Sequence, residues 1–349
     1  MYILENVPLS GYSTMRLGGA AAYLTEINSR TELTEALGWA AERSLPVIMI
    51  GTGSNIVWSD EGFPGLVLIN KLLRFETFNE DENNLYVTAG AGENWDSIVE
   101  RSVSLGYSGI EFLSLIPGST GATPIQNVGA YGREISDVLV CVEAYDLQVG
   151  NFVVIPTVEC GFGYRTSRFK TTDKNRFFIT SITLHLTRQN PEPPFYQSLQ
   201  HYFEEHGYFA ENKPQAFTPA LIRQAVVSIR QDKLPDVNLV ANCGSFFANP
   251  IIGLDAFTQL HESYPEISHW KLADGRVKIS AAWLVEQAGF KDVHDAETGM
   301  ATWPKQAIVL VNEHAESTAH LLAFRQKIID AVKQTFGITL EQEPELLPR

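Results

Sequence analysis

The 349-residue sequence is poor in cysteine and in basic residues, and each shortage limits what the protein can do. Its three cysteines are Cys141, Cys160 and Cys243, and no C-x-x-C pair occurs, so we expect neither a disulfide framework nor a metal site. Lys and Arg number 26 against 41 Asp and Glu, which gives a net charge of −15. Such a field repels nucleic acid and anionic membrane surfaces, so any phosphate-bearing ligand must be held by local donors.

The sequence also lacks signals for targeting and for membrane insertion. Its first residues, MYILENVPLSGYSTMRLGG, contain no basic region followed by an apolar run. No apolar stretch approaches the ~20 residues that a membrane-spanning helix needs. We therefore expect a cytoplasmic protein with no nucleic-acid or membrane partner, of a length that predicts two or three domains.

Hydrophobic periodicity predicts an α+β fold with mixed sheets. Ser29 and Glu32 form a capping-box pattern, which predicts a helix through about Ser44 between strands at 20–27 and 46–50. This opening is typical of a β-α-β unit. The elements predicted further along the first 188 residues are strands at 65–72, 84–89 and 176–187, a helix at 95–105, and a hairpin over 138–155.

The composition changes after Arg188. Residues 189–217 are rich in proline and aromatic residues, which favours a linker or a lid. Thr218 followed by Pro219 predicts the start of a helix. The remaining predictions are helices at 280–288 and 317–336, each ending on a glycine, and strands at 306–312 and 338–341.

Glycine-rich loops are the most informative local feature. Three G-x-G pairs begin at Gly51, Gly90 and Gly161, but none completes a Rossmann fingerprint or a P-loop, and a plain turn is the alternative for any one pair. In residues 51–55, GTGSN, small residues after a strand let backbone N–H groups approach an anion. Residues 115–132, LIPGSTGATPIQNVGAYG, have few bulky side chains and can lie along a large flat ligand. Two such loops favour a dinucleotide held by main chain.

A resemblance covers nearly the whole chain and rests on seven motifs in a fixed order. They are GTGSN (51–55), AGAGENW (89–95), IPGSTGATPIQNVGAYG (116–132), GYR (163–165), KLPD (233–236), GSFFANP (244–250) and EPE (343–345). The combination resembles the UDP-N-acetylenolpyruvoylglucosamine reductases, and the segment around Tyr196 is similar to their longer, type I form. The resemblance implies a vanillyl-alcohol-oxidase-type fold: FAD-binding subdomains at 1–72 and 73–215, with a lid at 189–215, and a substrate-binding domain at 216–349.

The resemblance also implies a reaction and its residues. In this family FAD, bound noncovalently, passes a hydride from NADPH to the enolpyruvyl group of UDP-N-acetylenolpyruvoylglucosamine, which gives UDP-N-acetylmuramate for peptidoglycan. Ser245 matches the family's proton donor, and Arg165 and Glu345 match its charge-stabilising pair. The alternatives are a buried turn with a bonded hydroxyl for Ser245, a surface salt bridge for Arg165 and a frayed acidic tail for Glu345.

Further residues are assigned to ligands by the same resemblance, and we expect the enzyme to be a monomer. The substrate-binding positions are Tyr196, Lys233 and Asn249, with Arg230 one helical turn before Lys233; an aromatic anchor for the 189–217 segment is the alternative for Tyr196. Leu347 stands where the family often has a basic residue, which leaves one contact to the substrate carboxylate or diphosphate unassigned. The positions expected to bind FAD are Gly51, Thr52, Gly53, Ser54, Asn55, Pro117, Gly118, Ser119, Gly121, Gln126, Asn127, Gly129, Ala130 and Tyr131, with the Gln126 and Asn127 side chains donating to the ligand's edge.

Three other functions compete with this interpretation. An oxidase of the same superfamily would carry covalent FAD, but all eight histidines lie at position 185 or later, which leaves Cys141 or Cys160 as anchors. A hydrolase would use Ser245 as a nucleophile, although no G-x-S-x-G motif surrounds it. A non-catalytic nucleotide-binding module is the third.

Overall fold

The computed structural model describes residues 1–209 and 216–348, and the chain forms two compact units. Each unit is assembled from separate stretches of chain. The first contains Met1–Glu5, Ala22–Thr52 and Pro64–Asp232, and the second contains Asn6–Ala21, Gly53–Phe63 and the chain from Lys233 onward. The three-part division at 72 and 215 stays a prediction, because these units alternate along the chain.

The strands of the first 187 residues account for most of the predicted ones. They are β1 (Leu4–Pro8), β2 (Ala20–Ile27), β3 (Val47–Ile50), β4 (Ile56–Trp58), β5 (Phe63–Asn70), β6 (Phe75–Asn79), β7 (Asn84–Gly90), β8 (Gly129–Ala130), β9 (Arg133–Glu134), β10 (Leu139–Asp146), β11 (Asn151–Pro156) and β12 (Phe177–Thr187). Later strands are shorter. They are β13 (Ala241–Ser245), β14 (Ile251–Ile252), β15 (His269–Lys271), β16 (Val277–Ile279), β17 (His294–Asp295), β18 (Met300–Trp303), β19 (Gln306–Asn312) and β20 (Glu345–Leu347).

The α-helices include all those predicted. They are α1 (Arg30–Ala41), α2 (Trp95–Ser104), α3 (Gln197–Glu205), α4 (Pro219–Lys233), α5 (Leu254–Ser263), α6 (Ala281–Gln287) and α7 (Thr318–Phe336). Side-chain caps explain several starts: Ser29 accepts from the Glu32 N–H, and Asn94 accepts from the Ser97 N–H. No helix of the described chain is both long enough and apolar enough to cross a membrane.

The larger sheets are mixed and antiparallel. Strands follow the order β1-β2-β5-β3 in one sheet, β11-β10-β12-β7-β6 in the second, and β13-β19-β18-β17 in the third. The predicted β-α-β opening is present as β2, α1 and β3, but β5 lies between the two strands and pairs in parallel with β3.

The segment predicted as a linker or lid contains a helix, so the linker interpretation is wrong for its described part. α3 buries Leu199 and Phe203. Phe195, Phe203 and Phe217 pack with centroids 4.8–5.4 Å apart, and this cluster continues onto the apolar face of α4. The aromatic residues that favoured a lid therefore build a small hydrophobic core. Residues 210–215, which also belong to the predicted lid, lie outside the described residues.

The predicted strand at 338–341 is wrong, and a strand forms a few residues later. Ile338 and Leu340 pack against the core of the second unit without joining a sheet. β20 instead pairs in parallel with β4, with Glu345 opposite Ile56 and Leu347 opposite Trp58. The side chain of Leu347 is only 5% exposed, so the end of the described chain is part of the fold.

Candidate active site

The glycine-rich loops of the first unit pack tightly against one another. A Cβ on Gly51 would overlap the Ser119 hydroxyl, and a Cβ on Gly121 would overlap Ala91, so both contacts require glycine. Backbone hydrogen bonds join the same segments, from Gly121 N–H to Ala91 O (2.9 Å) and from Thr120 N–H to Glu93 O (2.8 Å). The structure therefore brings together three of the family motifs recognised in the sequence.

Backbone donors remain available in this region. Within residues 1–209 and 216–348, the backbone N–H groups of Thr52 and Gly118 find no hydrogen-bond acceptor. Gly118 is buried, where an N–H group is normally paired, whereas Thr52 is exposed. Unpaired donors at glycine-rich turns are suited to an anionic ligand.

Asn127 holds the large loop in shape. Its side chain donates to Glu134 (2.6 Å) and to the carbonyl of Gly163 (3.2 Å), and its Oδ1 accepts from the Ser136 N–H (3.2 Å). Asn127 is only 1% exposed, and its side-chain amide is used in hydrogen bonds that hold the loop. Any contact that Asn127 makes to a ligand would therefore come from its backbone. The sequence assigned this amide to a ligand because a buried network between distant segments has no local signature.

Arg165 lies in a tight turn next to that loop. Gly163 and Thr166 exchange backbone hydrogen bonds, and Arg165 between them has φ +52°, a conformation that costs energy for a non-glycine residue. The Arg165 Nη2 donates to the Gly129 carbonyl at 2.6 Å. The guanidinium is thus fixed against the backbone of the glycine-rich loop.

A second basic group of the first unit, Arg230, lies near Tyr131. Within the described chain the buried Nε of Arg230 has no hydrogen-bond partner, and burial lowers the pKa of its guanidinium despite the nearby Tyr131 and Asp96. Tyr131 and Tyr196 meet edge to face at 6.0 Å. Burial raises the pKa of both phenols, so both stay protonated donors at neutral pH.

Asp96 and Arg223 are site-supporting residues that the sequence did not reveal. Asp96 accepts two hydrogen bonds from Arg223 (2.6 and 2.9 Å) and one from the Leu115 N–H (2.5 Å). One carboxylate therefore ties the first turn of α2 to the start of the glycine-rich loop and to α4, which carries Arg230. Burial favours the neutral acid, yet these hydrogen bonds prevail and lower the pKa of Asp96.

Ser245 is the last residue of β13 in the second unit. The strand bulges between Asn242 and Ser245, where Gly244 adopts φ +74° and donates its N–H to the Asn242 side chain. The Ser245 hydroxyl makes no hydrogen bond to any residue of the described ranges. The alternative of a turn serine bonded to a carbonyl is therefore wrong. Phe246 and Phe247, which follow, are 0% and 1% exposed.

The chain that carries Glu345 runs antiparallel beside this segment. Ala248 N–H donates to Glu341 O (3.0 Å), and Glu343 N–H donates to Phe246 O (2.9 Å). Glu345 N–H then donates to the carbonyl of Asn55 (3.0 Å). The alternative of a frayed tail is wrong, because Glu345 begins a paired strand.

The remaining predicted residues of the second unit are structured too. Lys233 ends α4, and its carbonyl accepts from the Trp303 indole at 3.1 Å. Asn249 Oδ1 accepts from the Ala281 N–H at 2.9 Å, which orients its amide at the start of α6. Gly53 packs against the Tyr12 carbonyl, and its own carbonyl accepts from Thr14 N–H.

Comparisons with known proteins agree with the resemblance found in the sequence. The family model for the UDP-N-acetylenolpyruvoylglucosamine reductase C-terminal domain matches residues 235–347, and an FAD binding domain model matches residues 21–155. The FAD-binding fold and the α+β class are therefore confirmed. A crystal structure of the Thermus caldophilus reductase shares the fold, with a TM-score of 0.66 at 24% identity over 99% of this chain and 100% of that one.

Curated relatives cover the chain from end to end. The UDP-N-acetylenolpyruvoylglucosamine reductase of Cupriavidus pinatubonensis is 38% identical, and that of Chromobacterium violaceum is 36% identical, each over 98% of both chains. That of Amoebophilus asiaticus is 36% identical over 99% of this chain and its whole length. Full-length matches at this identity show that the chain belongs to the UDP-N-acetylenolpyruvoylglucosamine reductase family.

Proposed function

We propose that the protein reduces UDP-N-acetylenolpyruvoylglucosamine to UDP-N-acetylmuramate, with NADPH as the electron source and noncovalent FAD. The observation that carries this proposal is the Ser245 hydroxyl, which has no hydrogen-bond partner among the described residues and is followed by two buried phenylalanines. A hydroxyl left unpaired there is available to a ligand, and the two phenylalanines after it anchor the segment in the core of the second unit.

The first unit offers what a bound dinucleotide needs. The unpaired Thr52 and Gly118 N–H groups and the cradle of Gly51, Ser119 and Gly121 fit a pyrophosphate approached by backbone. FAD, when bound, supplies hydride transfer. A covalent link through Cys160 is disfavoured, because burial raises the pKa of this thiol to about 11 and thus removes the reactive thiolate.

Arg165 and Glu345 stabilise charge in the proposed reaction. Hydride addition to the methylene carbon places negative charge on the adjacent carbon and its carboxylate, and a fixed guanidinium offers two parallel donors to that group. Arg165 is suited to this because its turn and its Gly129 contact hold it in advance. Glu345 sits on a paired strand and is assigned a hydrogen bond to the same charge.

Ser245 completes the reaction by giving its proton to that carbon. The hydride and the proton add across one double bond, so no leaving group forms and the serine is reprotonated by solvent. A serine is weakly acidic, but a carbanion-like centre is a strong base. In a hydrolase the same serine would need a general base, and no imidazole hydrogen-bonds to Ser245 in the described ranges.

We assign the nucleotide sugar to a set of basic, aromatic and amide side chains. Arg230, with Tyr131 and Tyr196 nearby, supplies charge and two phenolic donors. Lys233 and Asn249 supply an ammonium and an amide. We also propose that the enzyme is a cytoplasmic monomer. Light scattering on the purified protein tests its oligomeric state.

Anaerobic spectroscopy tests the function directly. The purified protein should carry the visible bands of oxidised FAD, which acid precipitation should release into the supernatant. NADPH should bleach these bands, and UDP-N-acetylenolpyruvoylglucosamine should restore them with formation of UDP-N-acetylmuramate. A protein that stays colourless after addition of FAD, or a reduced flavin that the enolpyruvyl sugar nucleotide does not reoxidise, contradicts the proposal.

A further inference from the structure

The second unit contains a partly buried arginine that none of the family motifs includes. Arg325 lies in the middle of α7, and its Nε is buried with no hydrogen-bond partner in the described ranges. Burial alone accounts for the lowered pKa of its guanidinium. It differs in this from Arg223, which is buried to a similar degree but pairs with a carboxylate.

Among the described residues, the one hydrogen bond that Arg325 donates leads toward Glu345. Its Nη1 donates to Oε1 of Gln342 at 2.7 Å, and Nε2 of Gln342 donates to the carbonyl of Pro344 at 2.7 Å. Pro344 immediately precedes Glu345. Because the guanidinium fixes which side of the Gln342 amide is the acceptor, the other side must donate to that carbonyl.

The same amide lies where the tail meets the serine strand. Gln342 forms an antiparallel bridge with Phe247, and Glu343 N–H donates to Phe246 O. The backbone on either side of Gln342 is therefore anchored, while the turn at Pro344 has its carbonyl held by the Gln342 side chain. We therefore expect a change in that turn to shift the Glu345 side chain, while the bridge to Phe247 keeps the segment after Ser245 in place.

We propose that Arg325 is a positioning residue for Glu345, acting through the Gln342 amide on the carbonyl of Pro344. This inference rests on the proposed function, because it assigns Arg325 to the step in which Glu345 takes part. The arrangement explains why a partly buried cation is kept here without a carboxylate: a charge-assisted hydrogen bond orients an amide more firmly than a neutral one does. A carboxylate in place of the Gln342 amide would form an ion pair with Arg325, but it would have no N–H to donate to the Pro344 carbonyl.

The experiment compares Arg325→Met, Arg325→Lys and Gln342→Met with Lys333→Met, which removes one positive charge from an exposed position on the same helix. In stopped-flow measurements, NADPH should reduce the flavin of every variant at the wild-type rate. Reoxidation by the enolpyruvyl sugar nucleotide should slow about tenfold in Arg325→Met and Gln342→Met, as expected for one lost charge-assisted hydrogen bond. Arg325→Lys should recover part of the rate, and Lys333→Met should equal wild type.

A double-mutant cycle separates positioning from stability. If Arg325 acts through Glu345, adding Arg325→Met to a Glu345→Gln enzyme should slow reoxidation less than twofold further. The inference would be overturned if the Arg325→Met and Glu345→Gln substitutions slowed reoxidation independently, so that their factors multiplied in the double variant. Equal slowing of both half-reactions, or unchanged reoxidation in Arg325→Met, would overturn it as well. If Arg325→Met does not fold, Gln342→Met carries the same test. A wild-type enzyme that the sugar nucleotide cannot reoxidise would contradict the proposed function instead.

Discussion

In the second unit Ser245 and Glu345 lie on strands, whereas in the first unit Arg165 lies in a strained turn and Arg230 near the end of a helix. Main-chain hydrogen bonds hold the serine and the glutamate. The first unit relies on the side chains of Asn127 and Asp96, each of which joins three segments. Replacing the Ser245 side chain should therefore alter the chemistry and leave the backbone geometry intact, while replacing Asn127 or Asp96 in the first unit should alter both.

Ser245→Ala should have the largest effect. It tests whether a substitution on a strand of the second unit changes the chemistry without changing the backbone geometry. Loss of a positioned proton donor should slow reoxidation by the sugar nucleotide about 10²–10⁴-fold, roughly 3–5.5 kcal/mol of barrier. Reduction by NADPH should proceed at the wild-type rate, because the proton is needed only afterwards. Stopped-flow absorbance resolves the two steps, with Ser263→Ala at an exposed helix end as control.

Equal slowing of both steps in Ser245→Ala would mean that the hydroxyl shapes the site. Cysteine at this position should recover part of the rate, because a thiol is also a proton donor.

Arg165→Lys tests whether the held guanidinium matters more than its charge. A lysine keeps the charge but loses the fork and the contact to Gly129, so kcat should fall about 10²-fold or more, nearly as far as in Arg165→Ala. Steady-state kinetics with the sugar nucleotide measure this. Arg43→Lys, an exposed position in the same unit, is the control. Near-normal kcat in Arg165→Lys would make Arg165 a distant charge only.

Asn127→Leu tests the dependence of the first unit on side chains. The substitution leaves the Ser136 N–H and the Glu134 carboxylate without their partner, which should cost about 2–4 kcal/mol of unfolding free energy. FAD should also bind more weakly, because the loop from 116 to 132 loses its support. Urea unfolding and a flavin titration measure the two effects. Unchanged FAD affinity in a destabilised variant would separate the loop from cofactor binding.

Asp96→Asn should have the smallest effect and one that depends on pH. Since the folded protein lowers the pKa of Asp96, its ionised form contributes stability above the ordinary carboxyl pKa near ~3.9, and this is lost as pH falls through the folded pKa. At pH 7 the variant should lose about 1 kcal/mol. Its unfolding free energy should then fall less steeply than that of wild type between pH 5 and pH 3. Parallel pH profiles would show that Asp96 does not titrate with folding.

Local patterns explain why most of the fold was predictable. Alternating and helical periodicities identified β7, α2, β12 and α7, and the capping pattern at Ser29 identified the start of α1. Errors arose where tertiary packing decided the outcome. The aromatic residues of α3 needed the partner face of α4, and Ile338 and Leu340 found a core in place of a sheet.

The candidate site divides in the same way. Motifs made Ser245, Arg165 and Glu345 candidates, because each lies in a short recognisable stretch. The residues that hold these candidates in place could not be predicted from the sequence. Asp96 and Arg223 are 127 positions apart, and Arg325 contacts Gln342 from a helix that shows only an ordinary apolar stripe. A contact between two side chains that are far apart in the sequence produces no local pattern from which it could be predicted.

The interleaving of the two units has a consequence for how the polypeptide reaches its native state. Met15, Leu17 and Val57 are buried in the same cluster as Phe246, Leu310 and Phe324, and β20 needs β4 as its neighbour. A fragment cut at the match of the C-terminal family model, residues 235–347, would therefore expose the apolar surface that these residues cover and tend to aggregate. The intact chain must close the long loop formed by residues 64–232 before this core can assemble, and such non-local closure is slow. Folding of the second unit cannot run to completion segment by segment; it depends on an early stretch remaining accessible until residues far downstream arrive.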